Sequence, residues 1–228
     1  MIAHRSERPS RPEAGFSFIE ILIVMGIISV LVGMVVIALK IWGEKKPEME
    51  TRDRARSVTL LLEGWKGTFD GMYPPTRLVD LAKIAGNSAV KAIKGGGNSI
   101  NEGIETVFQA LYFPGFSTDA NLSDDALCNS DEDKLSEPIG SRGPALMEIK
   151  DGYGNPFFYF NSHDYASADK NPPTYRMLAG DLKGEDVQPR PWKSENGGFE
   201  QPNTFQVFSA GRDGVPNTED DVKGWTSK

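Results

Sequence analysis

Two groups of residues in this sequence have types and spacing that could do chemistry. The first is a lone carboxylate. Glu20 is the only charge in an apolar run at residues 16–39, FSFIEILIVMGIISVLVGMVVIAL. A carboxylate at mid-membrane costs about 2.5–3.5 kcal/mol, and less near the interface. It either reaches the headgroups or pairs with a positive group. The second is an acidic turn near the C-terminus. Asp213, Asp220 and Asp221 fall within nine residues around Gly214 and Pro216. Calcium takes six to eight oxygens from carboxylates and main-chain carbonyls. A plain acidic surface turn has the same composition.

Little else in the chain asks for catalysis or metal chemistry. His4 and His163 are isolated, and Cys128 is the single cysteine, so an intrachain disulfide or a cysteine zinc site is excluded. There is no G-x-S-x-G, no P-loop, no dinucleotide glycine pattern and no H-E-x-x-H. Gly95-Gly96-Gly97 lacks the lysine of a phosphate cradle. We expect no enzyme. Residues 117–144 are polar, and Asp124, Asp125, Asp131, Glu132 and Asp133 are tempting as ligands. Their spacing lacks the central glycine and distal glutamate of an EF-hand, so a solvated loop is expected.

The elements that must position these groups follow from length and pattern. The chain has 228 residues, enough for one anchored domain with a core. Its net charge of −7 argues against nucleic acid as partner. The apolar run has 24 residues and spans about 36 Å as a helix, enough to cross a bilayer. It is long for a signal peptide and lacks an A-x-A site after it, so it is expected to remain as an anchor. Gly26 and Gly33 within it suit close helix packing, or local loosening of the helix. Val58, Leu61, Leu62, Trp65 and Phe69 form one apolar stripe at helical period. A bend or break is expected at Gly43 and Pro47, and a stop at Asp70-Gly71. Helices are expected at about 77–94 and 102–113, with Asn101 as a cap of the latter. Segments 157–160, 174–178 and 205–208 read as three strands of one small antiparallel sheet. The fold class is α+β, a long helix packed on that sheet.

Gly15-Phe16-Ser17-Phe18-Ile19-Glu20 resembles the G-F-T-L-x-E signature of type IV prepilins and pseudopilins. The resemblance implies cleavage between Gly15 and Phe16 by a prepilin peptidase, methylation of the new Phe16 amine, and a role for Glu20 in pairing with the amine of a neighbouring subunit. Six basic residues follow the run within 20 positions and three precede it, which by charge alone would place the body in the cytoplasm. The processing motif requires the opposite orientation.

Tyr73-Pro74-Pro75-Thr76 with Asn101-Glu102-Gly103-Ile104-Glu105 is similar to the Y-P-T-T-x-Q-G-L-E segment of major pseudopilins, split by residues 77–100. Asp151-Gly152-Tyr153-Gly154-Asn155-Pro156-Phe157 resembles their D-P-W-G-N-P-Y turn. Phe208-Ser209-Ala210-Gly211-Arg212-Asp213-Gly214 through Asp220-Asp221 and Trp225 resembles the calcium-binding ending of the major pseudopilins of type II secretion. That resemblance implies Asp213, Asp220 and Asp221 as calcium ligands, with carbonyls near Ala210, Val215 and Thr218.

The organisation implied is a leader at 1–15, a transmembrane and assembly helix at 16–40, and its outer half at 41–71. A head follows at 72–228, with insertions at 77–100 and 117–144 and a calcium loop at 209–222. By resemblance the chain is a subunit of a periplasmic pseudopilus, anchored once in a bacterial inner membrane. Its partners would be its own copies, minor pseudopilins and an inner-membrane assembly platform. A type IV pilus subunit, or an anchored calcium-dependent binding module that does not polymerise, are the alternatives.

Overall fold

A computed structural model of the chain describes residues 17–85, 97–112, 120–135 and 145–226. Gly15 and Phe16 lie outside these residues, as does the helix expected beyond Ala85. The chain divides into two compact units, residues 1–44 and 45–228.

Helix α1 spans Phe18–Thr68. Its residues 18–43 are all exposed, including Ile19 at 63% and Leu31 at 55%. This segment is long and apolar enough to cross a membrane. Added Cβ atoms at Gly26 and Gly33 would meet nothing within 4 Å, so neither glycine is packed against another element among the described residues. Pro47 lies inside α1 and does not end it, contrary to the break allowed for by sequence. A helical proline forfeits one amide hydrogen bond. The turns beyond it are reinforced by Thr51, whose hydroxyl donates to the Pro47 carbonyl at 2.7 Å. Ion pairs from Arg52 to Glu48 and from Arg54 to Glu50 add to them.

In the second unit, the expected stripe is the buried face of α1. Val58, Leu62 and Trp65 are fully buried, and Thr51 and Ala55 extend the same face toward Pro47. Phe69 stacks on Trp65 with centroids 4.3 Å apart. Asp70 and Gly71 have φ of 50° and 76°, and the Gly71 amide closes back on the Lys66 carbonyl at 3.1 Å. This is the left-handed cap expected there.

Two short helices follow, α2 at Leu78–Ala85 and α3 at Glu102–Tyr112. Asn101 precedes α3 with φ of 60° and is fully buried. Its carbonyl accepts the amides of Ile104 and Glu105. Its side chain is spent elsewhere, on Ser130, Glu148 and the Arg176 amide.

The expected sheet is present with one change of membership. Strands β1 (Leu127–Cys128) and β2 (Glu148–Ile149) pair antiparallel. Strand β3 (Phe158–Asn161) leads through helix α4 (Tyr165–Lys170) to β4 (Tyr175–Arg176). Strands β5 (Asp186–Val187), β6 (Phe205–Ser209) and β7 (Val222–Lys223) complete the chain. The three-stranded sheet has the order β3-β6-β7, with Phe158 opposite Phe208 and Ser209 opposite Val222. The segment around 174–178 does not join it and pairs with β5 instead. The physical reason is Asn101, which bonds the Thr174 carbonyl and the Arg176 amide and so ties this segment to the start of α3.

Residues 120–135 and 145–149 also depart from a plain solvated loop. Leu122, Ala126, Leu127, Leu135 and Leu146 are buried, and β1 and β2 form a ladder there. One core joins Ala55, Val58 and Leu62 of α1 to Ile104, Phe108, Phe158, Phe160 and Phe208. The fold of this unit is α+β, a helix on small antiparallel sheets.

Gly152 sits where a turn meets α1. Its amide donates to the Thr51 hydroxyl at 2.9 Å, and a Cβ there would overlap the Pro47 carbonyl. The proline of the pseudopilin turn would offer no such donor. Gly152→Ala is expected to destabilise the second unit by about 2–3 kcal/mol, because a main-chain carbonyl cannot yield as a side chain would. A fall in the urea midpoint at unchanged slope checks this, and an unchanged midpoint would contradict the close approach.

Candidate functional site

At the head of α1, the Ser17 amide donates to Glu20 Oε2 at 2.8 Å on an exposed surface. A glutamate three residues into a helix that reaches back to a free amide is half of a capping box. The Glu20 carboxylate is thus turned toward the helix start, where a positive group near residue 16 would stand. Exposure leaves it free to exchange this local partner for one on another helix.

At the other end of the chain, residues 210–221 form the loop of the β6–β7 hairpin. The three aspartates named from sequence lie on it. Asp213 Oδ1 accepts the Val215 amide at 2.8 Å. Asp220 Oδ2 accepts the amides of Arg212 and Asp213 at 2.9 and 3.2 Å, and its Oδ1 accepts the Thr218 hydroxyl at 2.6 Å. Asp221 Oδ2 accepts the Asn217 amide at 2.9 Å. Burial pushes the Asp221 carboxyl up to about 7, against the lowering effect of the Asn217 and Thr218 amides. Burial also raises Asp220, but its hydrogen bonds outweigh that and hold it below the usual range. Of the expected carbonyls, Val215 accepts the Thr218 hydroxyl at 3.1 Å, Thr218 accepts the Asp221 amide at 3.4 Å, and Ala210 is buried at the end of β6.

The donor set is all oxygen, with three carboxylates on one tight loop, and in that respect it fits a hard cation. Each aspartate, however, is engaged with the loop's own donors. The loop is also tightly docked. Gly211 and Gly214 have φ of 65° and 74°, and an added Cβ at Gly214 would come within 2.9 Å of the Ala179 carbonyl. The Asp181 amide donates to the Asp213 carbonyl at 2.8 Å.

The comparisons with known proteins bear on the first of these two ends. A model of the prokaryotic N-terminal methylation motif matches residues 10–36. The chain carries a type IV prepilin-like signal. This supports a pilin- or pseudopilin-type subunit, processing by a prepilin peptidase, and membrane anchoring through a single N-terminal helix. No curated protein and no solved structure matches the chain. Of the residues the motif implicates, Glu20 lies among the described residues and is placed at the first turn of α1.

Two residues that hold the C-terminal loop in place were read from sequence only as parts of a turn. Asp151 Oδ1 accepts the amides of Tyr153, Gly154 and Asn155 at 2.7–2.9 Å, and its Oδ2 accepts the Ser209 hydroxyl. Ser209 Oγ in turn accepts the Gly211 amide at 3.0 Å, inside the acidic loop. Asn155 Oδ1 accepts the amides of Leu178 and Ala179, the strip on which the loop docks. Asp151 and Asn155 are buried, and burial pushes the Asp151 carboxyl up to about 6. The available signal was the D-x-x-x-N spacing, since both side chains favour bonding main-chain amides at turns. Asp151→Asn keeps the shape but removes the charge and turns one of the two acceptor oxygens into a donor. A loss of about 3 kcal/mol is expected, because hydrogen bonds to charged groups are worth about 1.5–3 kcal/mol each. Chemical denaturation measures it; a change below the error of that measurement would show that the turn does not depend on Asp151.

Proposed function

We propose that this chain is the structural subunit of a periplasmic pseudopilus of a type II protein secretion system, polymerising through α1. The observation that carries the reading is the methylation motif at residues 10–36, running directly into an apolar helix whose side chains are bare in the single chain. Such a surface needs lipid before assembly and neighbouring helices after it. A prepilin peptidase would release residues 1–15 and free the Phe16 amine for methylation. The C-terminal domain would then stand in the periplasm, and minor pseudopilins and an inner-membrane platform would start and drive the fibre.

Glu20 has a defined task in this scheme. A carboxylate and an amine are each costly in hydrocarbon, and they offset one another when helices stack. The amine of one subunit would replace the Ser17 amide as partner of Glu20 on the next. The secretion system is favoured over a surface pilus by the C-terminal hairpin, which resembles that of major pseudopilins, and by the single cysteine, which cannot close a disulfide loop. Calcium belongs to the same reading. Asp213, Asp220 and Asp221 would hold it, with carbonyls of Ala210, Val215 and Thr218. The ion would neutralise the loop and stabilise the folded subunit.

Glu20→Ala tests the assembly role in the native host. The variant is expected to be cleaved and anchored as the wild type is, yet to be lost from sheared or overproduced fibres. Fibres at wild-type yield would favour an anchored module that does not polymerise. Deleting the gene separates the two filaments. Retention of exported proteins in the periplasm is expected, whereas loss of surface fibres with normal secretion would point to a pilus.

A further inference from the structure

One buried acid of α3 takes no part in anything described so far. Glu105 is fully buried, and neither of its carboxylate oxygens has a hydrogen-bond partner among the described residues. One carboxylate oxygen from each of Glu105, Asp131 and Asp133 lies within 4.8 Å of the other two. A buried carboxylate normally accepts several donors, and an unpartnered one is costly. Two others in the same unit follow that rule. Asp151 takes three amides and a hydroxyl, and Glu148 takes the Ser130 amide and hydroxyl and the Asn101 side chain.

Each of the two aspartates keeps one oxygen buried and without a hydrogen-bond partner among the described residues. Asp131 Oδ1 accepts the Asp133 amide at 3.4 Å, leaving Oδ2 buried and without a partner. Asp133 Oδ2 accepts the Asn98 amide at 3.0 Å, leaving Oδ1 buried and without a partner. Asn129 is tied down through its Nδ2, which donates to the Asp133 carbonyl at 2.9 Å, and its Oδ1 is also buried and unpartnered. Main-chain groups, two amides and one carbonyl, thus fix one atom of each side chain and leave the other open. In the C-terminal loop, Asp220 and Asp221 instead have both carboxylate oxygens on the loop's own donors.

We infer that Glu105, Asp131 and Asp133, with Asn129 beside them, form a calcium-binding site. The donors are all oxygen and include a carboxylate with both oxygens free, which calcium accepts in bidentate fashion. Magnesium demands a stricter octahedron and usually keeps several waters. A divalent charge offsets most of three clustered carboxylates. The ion joins α3 to the segment that carries β1, so it stabilises residues 120–135 against the core. Residues 129, 131 and 133 alternate as do the first ligands of a calcium loop. That signal was passed over in sequence because the glutamate comes from an earlier helix and does not follow the loop.

The test uses full-length protein in detergent, stripped with a chelator and titrated with Ca²⁺ alone, by calorimetry and thermal melting. Wild type is compared with Glu105→Gln, with Asp131→Asn, and with a triple Asp→Asn variant at 213, 220 and 221. In chelator, Glu105→Gln is expected to melt no lower than wild type, since glutamine keeps the shape and carries no buried charge. In Ca²⁺ it should lose affinity at this site by at least about tenfold, the loss typical even of an outer-shell partner. Asp131→Asn, at a partly exposed position, should weaken binding similarly. The triple variant should keep this site. The proposal is overturned if wild type binds no Ca²⁺, or if Glu105→Gln and Asp131→Asn bind it as wild type does. Loss of all binding in the triple variant alone would assign the ion to the C-terminal loop and also overturn it. No arm depends on filament assembly.

Discussion

Residues 18–43 of α1 present apolar side chains on every face, and nothing in their own unit covers them. Burying apolar surface is worth about 25 cal/mol per Å², so a segment of this kind is stable only in lipid or against other helices. That constraint decides how the rest of the chain is used. The charge inside the run must find a partner, and Glu20 stands at the helix start, within the prepilin-like signal at residues 10–36.

The second unit handles its buried charges by a different rule, in which each acid has a local reason to be there. Asp151 organises a turn and, through Ser209, the acidic hairpin loop. Glu148 and Asn101 bind each other, Ser130 and the strand at Arg176, so one polar knot holds α3, β2 and β4. Cys128 lies in the same region, and burial next to Glu148 pushes its thiol up. Glu105 alone departs from this rule among these buried acids, and that departure marks it as a ligand.

Where one segment carried the whole signal, sequence and structure agree. The stripe from Val58 to Phe69, the stop at Asp70-Gly71, the helix at Glu102–Tyr112 and the aromatic strands at 157–160 and 205–208 are each local patterns. What was hidden depends on distant partners. Tyr175–Arg176 reads as a strand, but its partner Asp186–Val187 is two residues long and has no alternation to show. The third strand of the sheet, Val222–Lys223, is as short. Asn101 looks like a helix cap by position, and only the fold reveals that its side chain joins three other segments. The Glu105 cluster gathers acids from α3 and from a stretch whose polarity reads as solvated. Pro47 was misleading for a further reason, since a proline's effect depends on what supports the turn around it, here Thr51 and two ion pairs.

The central claim is that the bare helix begins at a processed prepilin terminus and serves as anchor and assembly element. The most direct measurement is the intact mass of the protein purified from the membranes of its own host. The account predicts a chain lacking residues 1–15 and carrying one added methyl group. A full-length mass, or cleavage at another bond, would contradict it and leave an anchored domain with no route into a filament.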